Sequence, residues 1–146
     1  MRMALKLLNI GMRIENTVML IDDDPDDLEI LQDAISAIDG RHKIVTASDG
    51  VEGLQKLNEL SASGSLPCLI VLDLNMPKLD GKQTFVAIKA SKQLSKLPVV
   101  IFSTSSSMLD KSFFDRYDVA YFVKPVNFRQ FVETASRLIN YCSHNI

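Results

Sequence analysis

Cys68-Leu69-Ile70-Val71-Leu72-Asp73-Leu74-Asn75-Met76-Pro77 is an apolar run of strand length that stops on one carboxylate. Leu69 to Leu72 show no polar alternation, the pattern of a central parallel strand buried on both faces. The C-terminal end of such a strand opens onto the mouth of an α/β sheet, where these folds place their chemistry. Asp73 stands at that end. Pro77, Asp80 and Gly81 follow in a loop, so a carboxylate on a rigid strand faces a mobile connection. Asp73 is therefore the candidate nucleophile, an acceptor for a phosphoryl group.

Outward from this stretch, other apolar runs also end on polar residues. Val18 to Ile21 runs into Asp22-Asp23-Asp24-Pro25-Asp26-Asp27. Asp24 can cap a helix whose first position is Pro25, with Asp26 and Asp27 in its first turn where the helix dipole favours them. Leu28, Leu31, Ile35 and Ile38 give that helix an apolar stripe, and Gly40 ends it. Lys43 to Ala47 predicts a second strand. Asp49 and Gly50 open a second helix, with Val51, Leu54, Leu57 and Leu60 as its stripe. Ser61 to Pro67 reads as a surface loop. A third helix is predicted from Gly81 to Leu94, with Phe85 and Ile88 on its apolar side. Pro98 precedes a fourth strand, Val99 to Phe102, which ends in the hydroxyls Ser103 to Ser107. A short fourth helix reaches Arg116, and a fifth strand, Val119 to Val123, ends on Lys124-Pro125. Asn127 caps a last helix with Gln130 three residues on, and Phe128, Phe131, Ala135, Leu138 and Cys142 mark its apolar face. Five strands alternating with five helices predict an α/β fold, a parallel sheet with helices on both faces.

The 146 residues fit one domain with a full core. A hydrophobic fraction of 47% and a charged fraction of 23% are ordinary for a soluble globular chain. Net charge is −2 and no basic stripe is present, so a nucleic-acid partner is not expected. No apolar run approaches a membrane span, and a membrane partner is not expected either. Residues 1–15 are set apart as an N-terminal extension, either disordered or a misassigned start, since Met3 and Met12 are alternative starts. Residues 16–146 form the single domain. Cys68 and Cys142 lie far apart without metal spacing and read as buried, reduced thiols of a cytoplasmic protein. His42 and His144 are isolated and receive no role.

In a parallel sheet the strand ends share one edge. Asp22, Asp23, Asp73, Ser103 and Lys124 therefore meet at one mouth. Three carboxylates a few ångströms apart repel, and one would ordinarily take up a proton. A Mg²⁺ ion and Lys124 balance them, since Mg²⁺ prefers oxygen ligands and is held by one or two carboxylates plus a phosphate. An ionised Asp73 can then attack phosphorus while Lys124 neutralises charge on the transferring oxygens, and Ser103 can hydrogen-bond the attached group. Taken singly, the acid run is a helix cap, Ser103 a strand-end hydroxyl and Lys124-Pro125 a turn. The joint order of acid, acid, hydroxyl and ammonium, each at a strand end, carries the functional reading.

From about Asn16 to Ser143 the chain resembles the receiver domain of two-component response regulators. The motifs are Asp22-Asp23, Asp73 to Pro77 with Asp80-Gly81, Ser103 after Pro98 to Phe102, and Tyr121 to Pro125. This is the family of the chemotaxis response regulator, and the acid run and Ser103 to Ser105 look most like its small single-domain regulators, including those paired with phytochrome kinases. The resemblance implies a flavodoxin-like doubly wound sheet of order 2-1-3-4-5. It implies Asp73 as phosphoacceptor, with Asp23 and Asp73 ligating Mg²⁺ directly, Asp22 through water and Asn75 through its backbone carbonyl. It implies Lys124 on the phosphoryl group, a cis Lys124–Pro125 bond, and Ser103 with Tyr121 as a switch pair. The expected activity is that of a stand-alone response regulator, a phosphoacceptor switch rather than a turnover enzyme. Its expected donor is a sensor histidine kinase or a histidine phosphotransfer protein. The output partner is unnamed and a homodimer is compatible. Two other readings stay open: a haloacid-dehalogenase-like phosphatase, for which Asp22 and Asp24 have the right spacing, and a phosphate-independent adaptor with a receiver shape.

Overall fold

The computed structural model describes residues 13–14, 16–38 and 40–142. The strands are β1 (Arg13–Ile14), β2 (Thr17–Ile21), β3 (Lys43–Ala47), β4 (Ser65–Leu66), β5 (Leu69–Leu72), β6 (Val99–Ser103) and β7 (Ala120–Val123). The helices are α1 (Pro25–Ile38), α2 (Gly50–Ala62), α3 (Gly81–Ala90), α4 (Met108–Asp115) and α5 (Phe128–Leu138), with a 3₁₀ turn at Ile139–Tyr141. Five strands form one parallel sheet in the order β3-β2-β5-β6-β7. Counting only those five, this is the expected 2-1-3-4-5 order.

The three inner strands are apolar on both faces because helices cover both. Side chains alternate across the sheet. Met19, Ile21, Ile70, Leu72, Val99 and Ile101 point into one core, with Leu57 of α2, Phe85 and Ile88 of α3, and Phe114 of α4. Val18, Leu20, Leu69, Val71, Val100 and Phe102 point into the other, with Leu31 and Ile35 of α1 and Phe131, Ala135 and Leu138 of α5. The helix starts follow the capping residues. Asp24 accepts from the Asp26 amide at 2.9 Å, Asp49 from Glu52 at 2.8 Å and Asn127 from Gln130 at 3.2 Å. Asp80 and Gln83 form a complete capping box at α3.

α3 stops at Ala90, not Leu94, because Ser91 turns extended and its hydroxyl accepts from the Leu94 amide. Leu94 stays buried in the turn that follows. The stretch from Ser61 to Pro67 is no simple surface loop: Ser65–Leu66 pairs in parallel with Arg13–Ile14, and Leu66 is buried. Arg13 and Ile14 thus belong to a strand pair inside the expected extension; residues 1–12 lie outside the described residues. Ile38, Val51 and Phe128 are exposed, since each helix buries a narrower face than its apolar repeat suggests. No described peptide bond is cis, so Lys124–Pro125 is trans, the form that X–Pro bonds favour intrinsically. Cys68 and Cys142 are not reduced thiols. They form a disulfide across 74 residues, because the 3₁₀ turn after α5 folds back onto the start of β5.

One glycine sets how closely α3 approaches the Asp73 strand. A Cβ on Gly81 would stand 2.6 Å from the Leu74 Cα and would clash with the Asp73 carbonyl oxygen. Those are backbone atoms, so relief requires α3 to shift. Gly81→Ala is expected to cost about 1–3 kcal/mol. In urea unfolding this reads as a lower midpoint with an unchanged slope.

Candidate functional site

The sheet register delivers the site residues to one edge. The Asp73 amide donates to the Ile21 carbonyl at 2.9 Å, which sets the end of β5 beside Asp22. The Lys124 amide donates to the Ser103 carbonyl at 2.7 Å, which sets the end of β7 beside that of β6. Carboxylate oxygens of Asp22, Asp23 and Asp73 all lie within 4.8 Å of one another. Asp22 and Asp73 are buried and Asp23 is exposed. Three hard oxygen donors with one side open to solvent are the donor set a Mg²⁺ ion takes.

Lys124 crosses the mouth to meet them. Its Nζ lies 2.6 Å from Asp22 Oδ2, 2.8 Å from Asp27 Oδ2 and 3.8 Å from Asp73 Oδ2. The strongest contacts are therefore not with Asp73 but with Asp22 and with Asp27, which the sequence reading did not single out. Asp27 sits in the first turn of α1, which begins where Asp24 caps it, and that turn swings its carboxylate over the mouth. The signal is its place in the acid run, for which the helix dipole is already a sufficient account.

The electrostatics follow from burial. Desolvation, and then the charge of Asp73, push the Asp22 carboxyl up to about 6, against the pull of Lys124. Desolvation raises Asp73 too, opposed by Lys124 and by hydrogen bonds from the Leu74 amide and the Ser103 hydroxyl. For Lys124, desolvation pulls downward, but Asp22, Asp27 and Asp73 together overcome it and hold the ammonium above its ordinary value. Two buried acids reluctant to ionise beside a secured cation form a site short of positive charge.

Ser103 is fully buried at the end of β6, and its hydroxyl also accepts from the Ser105 amide at 3.2 Å. Tyr121 hydrogen-bonds the residue two positions past Ser103. Its hydroxyl donates to the Ser105 carbonyl at 2.8 Å, and its half-buried ring lies 6.1 Å from that of Phe114. Ser105 in turn donates to Asp110 Oδ2 at 2.6 Å, and Lys82 pairs with Asp110 Oδ1 at 2.6 Å. The segment after β6 is thus tied to Tyr121, α4 and α3 at once. Sequence reading missed Asp110 and Lys82 because they are ordinary surface charges until the fold joins them to Ser105. Asn75 is exposed, two residues past Asp73. Beside Lys124, a cleft of about 310 Å³ is lined by Asp27, Thr104, Pro125, Val126 and Phe128. Asp24 accepts from the Asp26 and Asp27 amides, so it acts as a cap, and the dehalogenase-like role for it loses its footing.

The chain is similar to known proteins in sequence and in fold. Residues 18–136 match the family model of the response regulator receiver domain. FilR2 of Methanothrix harundinacea, described as a "probable methanogenesis regulatory protein", is 29% identical over 126 residues, 85% of this chain and 81% of its own length. Response regulator Rcp1 of Synechocystis is 30% identical over 90 residues, 60% of this chain. This chain spans 61% of Rcp1 and 50% of a response regulatory protein of Vibrio vulnificus. The structure of the phosphorylated cyanobacterial phytochrome response regulator RcpA superposes with a TM-score of 0.78 at 31% identity, covering 90% of this chain and 96% of that one. The bacteriophytochrome response regulator AtBRR gives 0.67 at 31% identity, covering 87% and 94%. The Mn²⁺-bound form of Rcp1, at 23% identity and a TM-score of 0.77, shares the fold. With strand order, sheet-edge acids and the family match over 18–136 in agreement, this chain belongs to the response regulator receiver domains.

Proposed function

We propose that the chain is a phosphorylation-operated receiver in which Asp73 accepts a phosphoryl group from a phosphohistidine of a sensor kinase or phosphotransfer protein. The observation that carries this is the placement of Lys124 between Asp22 and Asp73, while Asp22, Asp23 and Asp73 converge within 4.8 Å. Asp22, Asp23 and Asp73, with the Asn75 carbonyl, would hold a Mg²⁺ ion, which when bound would neutralise charge on the phosphoryl oxygens. An Asp73 oxygen forms the bond to phosphorus as the phosphorus–nitrogen bond to the donor histidine breaks, and the departing imidazole takes up a proton. Lys124 carries its ammonium toward the transferred oxygens, and its pairing with Asp22 and Asp27 holds it poised. Ser103 exchanges Asp73 for a phosphoryl oxygen. That loosens the Ser105 segment and the Tyr121 hydroxyl it accepts from, so one added dianion biases the α4 side of the fold. Output then leaves through the face of α4, β7 and α5, where Met108, Leu109, Val123 and Val126 are exposed. RcpA and AtBRR are phytochrome and bacteriophytochrome regulators, which supports a photoreceptor histidine kinase as the donor.

Incubation with acetyl phosphate and Mg²⁺ is expected to add one phosphoryl group by intact mass, and Asp73→Asn to abolish the gain. A gain that survives Asp73→Asn rejects the acceptor. Lys124→Met is expected to slow phosphorylation by roughly 10²-fold or more, the usual effect of removing one charge-stabilising group.

Protons and Mg²⁺ compete for Asp22. Calorimetric Mg²⁺ affinity is expected to weaken as pH falls through about 6, with Asp22→Asn removing most of that dependence. Without metal the sign for stability is the reverse. A carboxyl raised from 3.8 to about 6 favours the folded state while protonated, and that contribution is lost as pH rises through about 6. The melting temperature of the metal-free chain should fall over that window, and Mg²⁺ should restore it.

A further inference from the structure

His42, Cys68 and Cys142 form a second cluster, at the sheet edge opposite the acids. A ring nitrogen of His42 and the two sulfurs lie within 4.8 Å of one another. The backbone fixes all three. The Lys43 amide donates to the Asn16 carbonyl and the Cys68 amide to the Thr17 carbonyl, so His42 and Cys68 flank the start of β2. Cys142 closes the turn after α5, where its amide donates to the Ile139 carbonyl at 3.1 Å and Leu138 and Ile139 are buried beneath it. Both cysteines are buried, and their Cα atoms stand 4.7 Å apart.

We propose that, once its disulfide is reduced, this cluster is a zinc site of two thiolates and one imidazole. A disulfide offers a metal no thiolate, so the two states exclude each other. Reduction by two equivalents of a small thiol breaks the sulfur–sulfur bond. Two electrons and two protons enter as two cysteine S–H groups, and the small thiols leave as their disulfide. Zn²⁺ then displaces both protons. The product, one dication with two thiolates and a neutral imidazole, carries no net charge, which suits a buried site. Donors at about 2.0–2.3 Å from zinc stand up to about 4 Å apart, so small side-chain rotations suffice. A nitrogen–sulfur donor set selects zinc over Mg²⁺, which belongs with the oxygen donors at the opposite edge. Two of these backbone points are thus stapled covalently when oxidised, and all three by metal when reduced. The inference is independent of the phosphoryl-transfer reading.

Co²⁺ serves as the probe. The full chain is reduced with a phosphine, which is oxidised to its oxide with water supplying oxygen and protons. Excess Mg²⁺ occupies the acidic site. The expected result is one equivalent of Co²⁺ with thiolate-to-cobalt charge-transfer absorption, abolished by one equivalent of Zn²⁺ and absent from the oxidised chain. Cys142→Ser should remove the absorption, and His42→Gln should weaken Co²⁺ affinity by about tenfold or more. Absence of the band in the reduced chain, or an affinity unchanged by His42→Gln, overturns the site. If the reduced metal-free chain loses its near-ultraviolet dichroism, Zn²⁺ added before the reductant must preserve it; failure to do so also overturns the site.

Discussion

The ammonium of Lys124 among the carboxylates of Asp22, Asp27 and Asp73 is the contact on which the rest of the structure depends. It joins the end of the last strand to the end of β2 and the start of α1, across 102 residues of sequence. Such a pair is weak evidence for stability, because desolvating the charges offsets most of their attraction. Its consequence is for arrangement. Removing the ammonium would leave two buried acids facing each other, and the mouth of the sheet could not keep its present shape.

The cores serve that mouth. Two layers of apolar side chains, alternating residue by residue along β2, β5 and β6, lock the register of the inner strands. A slip of one residue would turn Asp73 away from Asp22. Gly81 contributes by letting α3 pack directly on the backbone that follows Asp73. The site is therefore held by strands and capped helices.

The two sheet edges divide the chemistry by donor hardness. Oxygen donors gather where the strands end, and nitrogen and sulfur donors gather where they begin. The disulfide at the second edge ties the chain entering β5 to the chain leaving α5. It thus crosslinks the strand that carries Asp73 to a helix on the proposed output face, without touching the acids themselves.

Local signals in the sequence determined much of this protein. Uninterrupted apolar runs ending at Asp22, Asp73 and Ser103 marked the three inner strands, because burial on both faces leaves no polar alternation, and a further run ending at Lys124 marked a strand at the rim of the sheet. Asp24, Asp49 and Asn127 marked helix starts, because a cap is a contact over two or three residues. Tertiary structure decided what spacing cannot encode. Asp27 as a partner of Lys124, Tyr121 on the Ser105 carbonyl, the β1–β4 pair, and Cys68 joined to Cys142 all depend on segments 16 to 97 residues apart being brought together. A side chain's partners across such distances follow from how layers pack, and a single sequence records only that the residue is present.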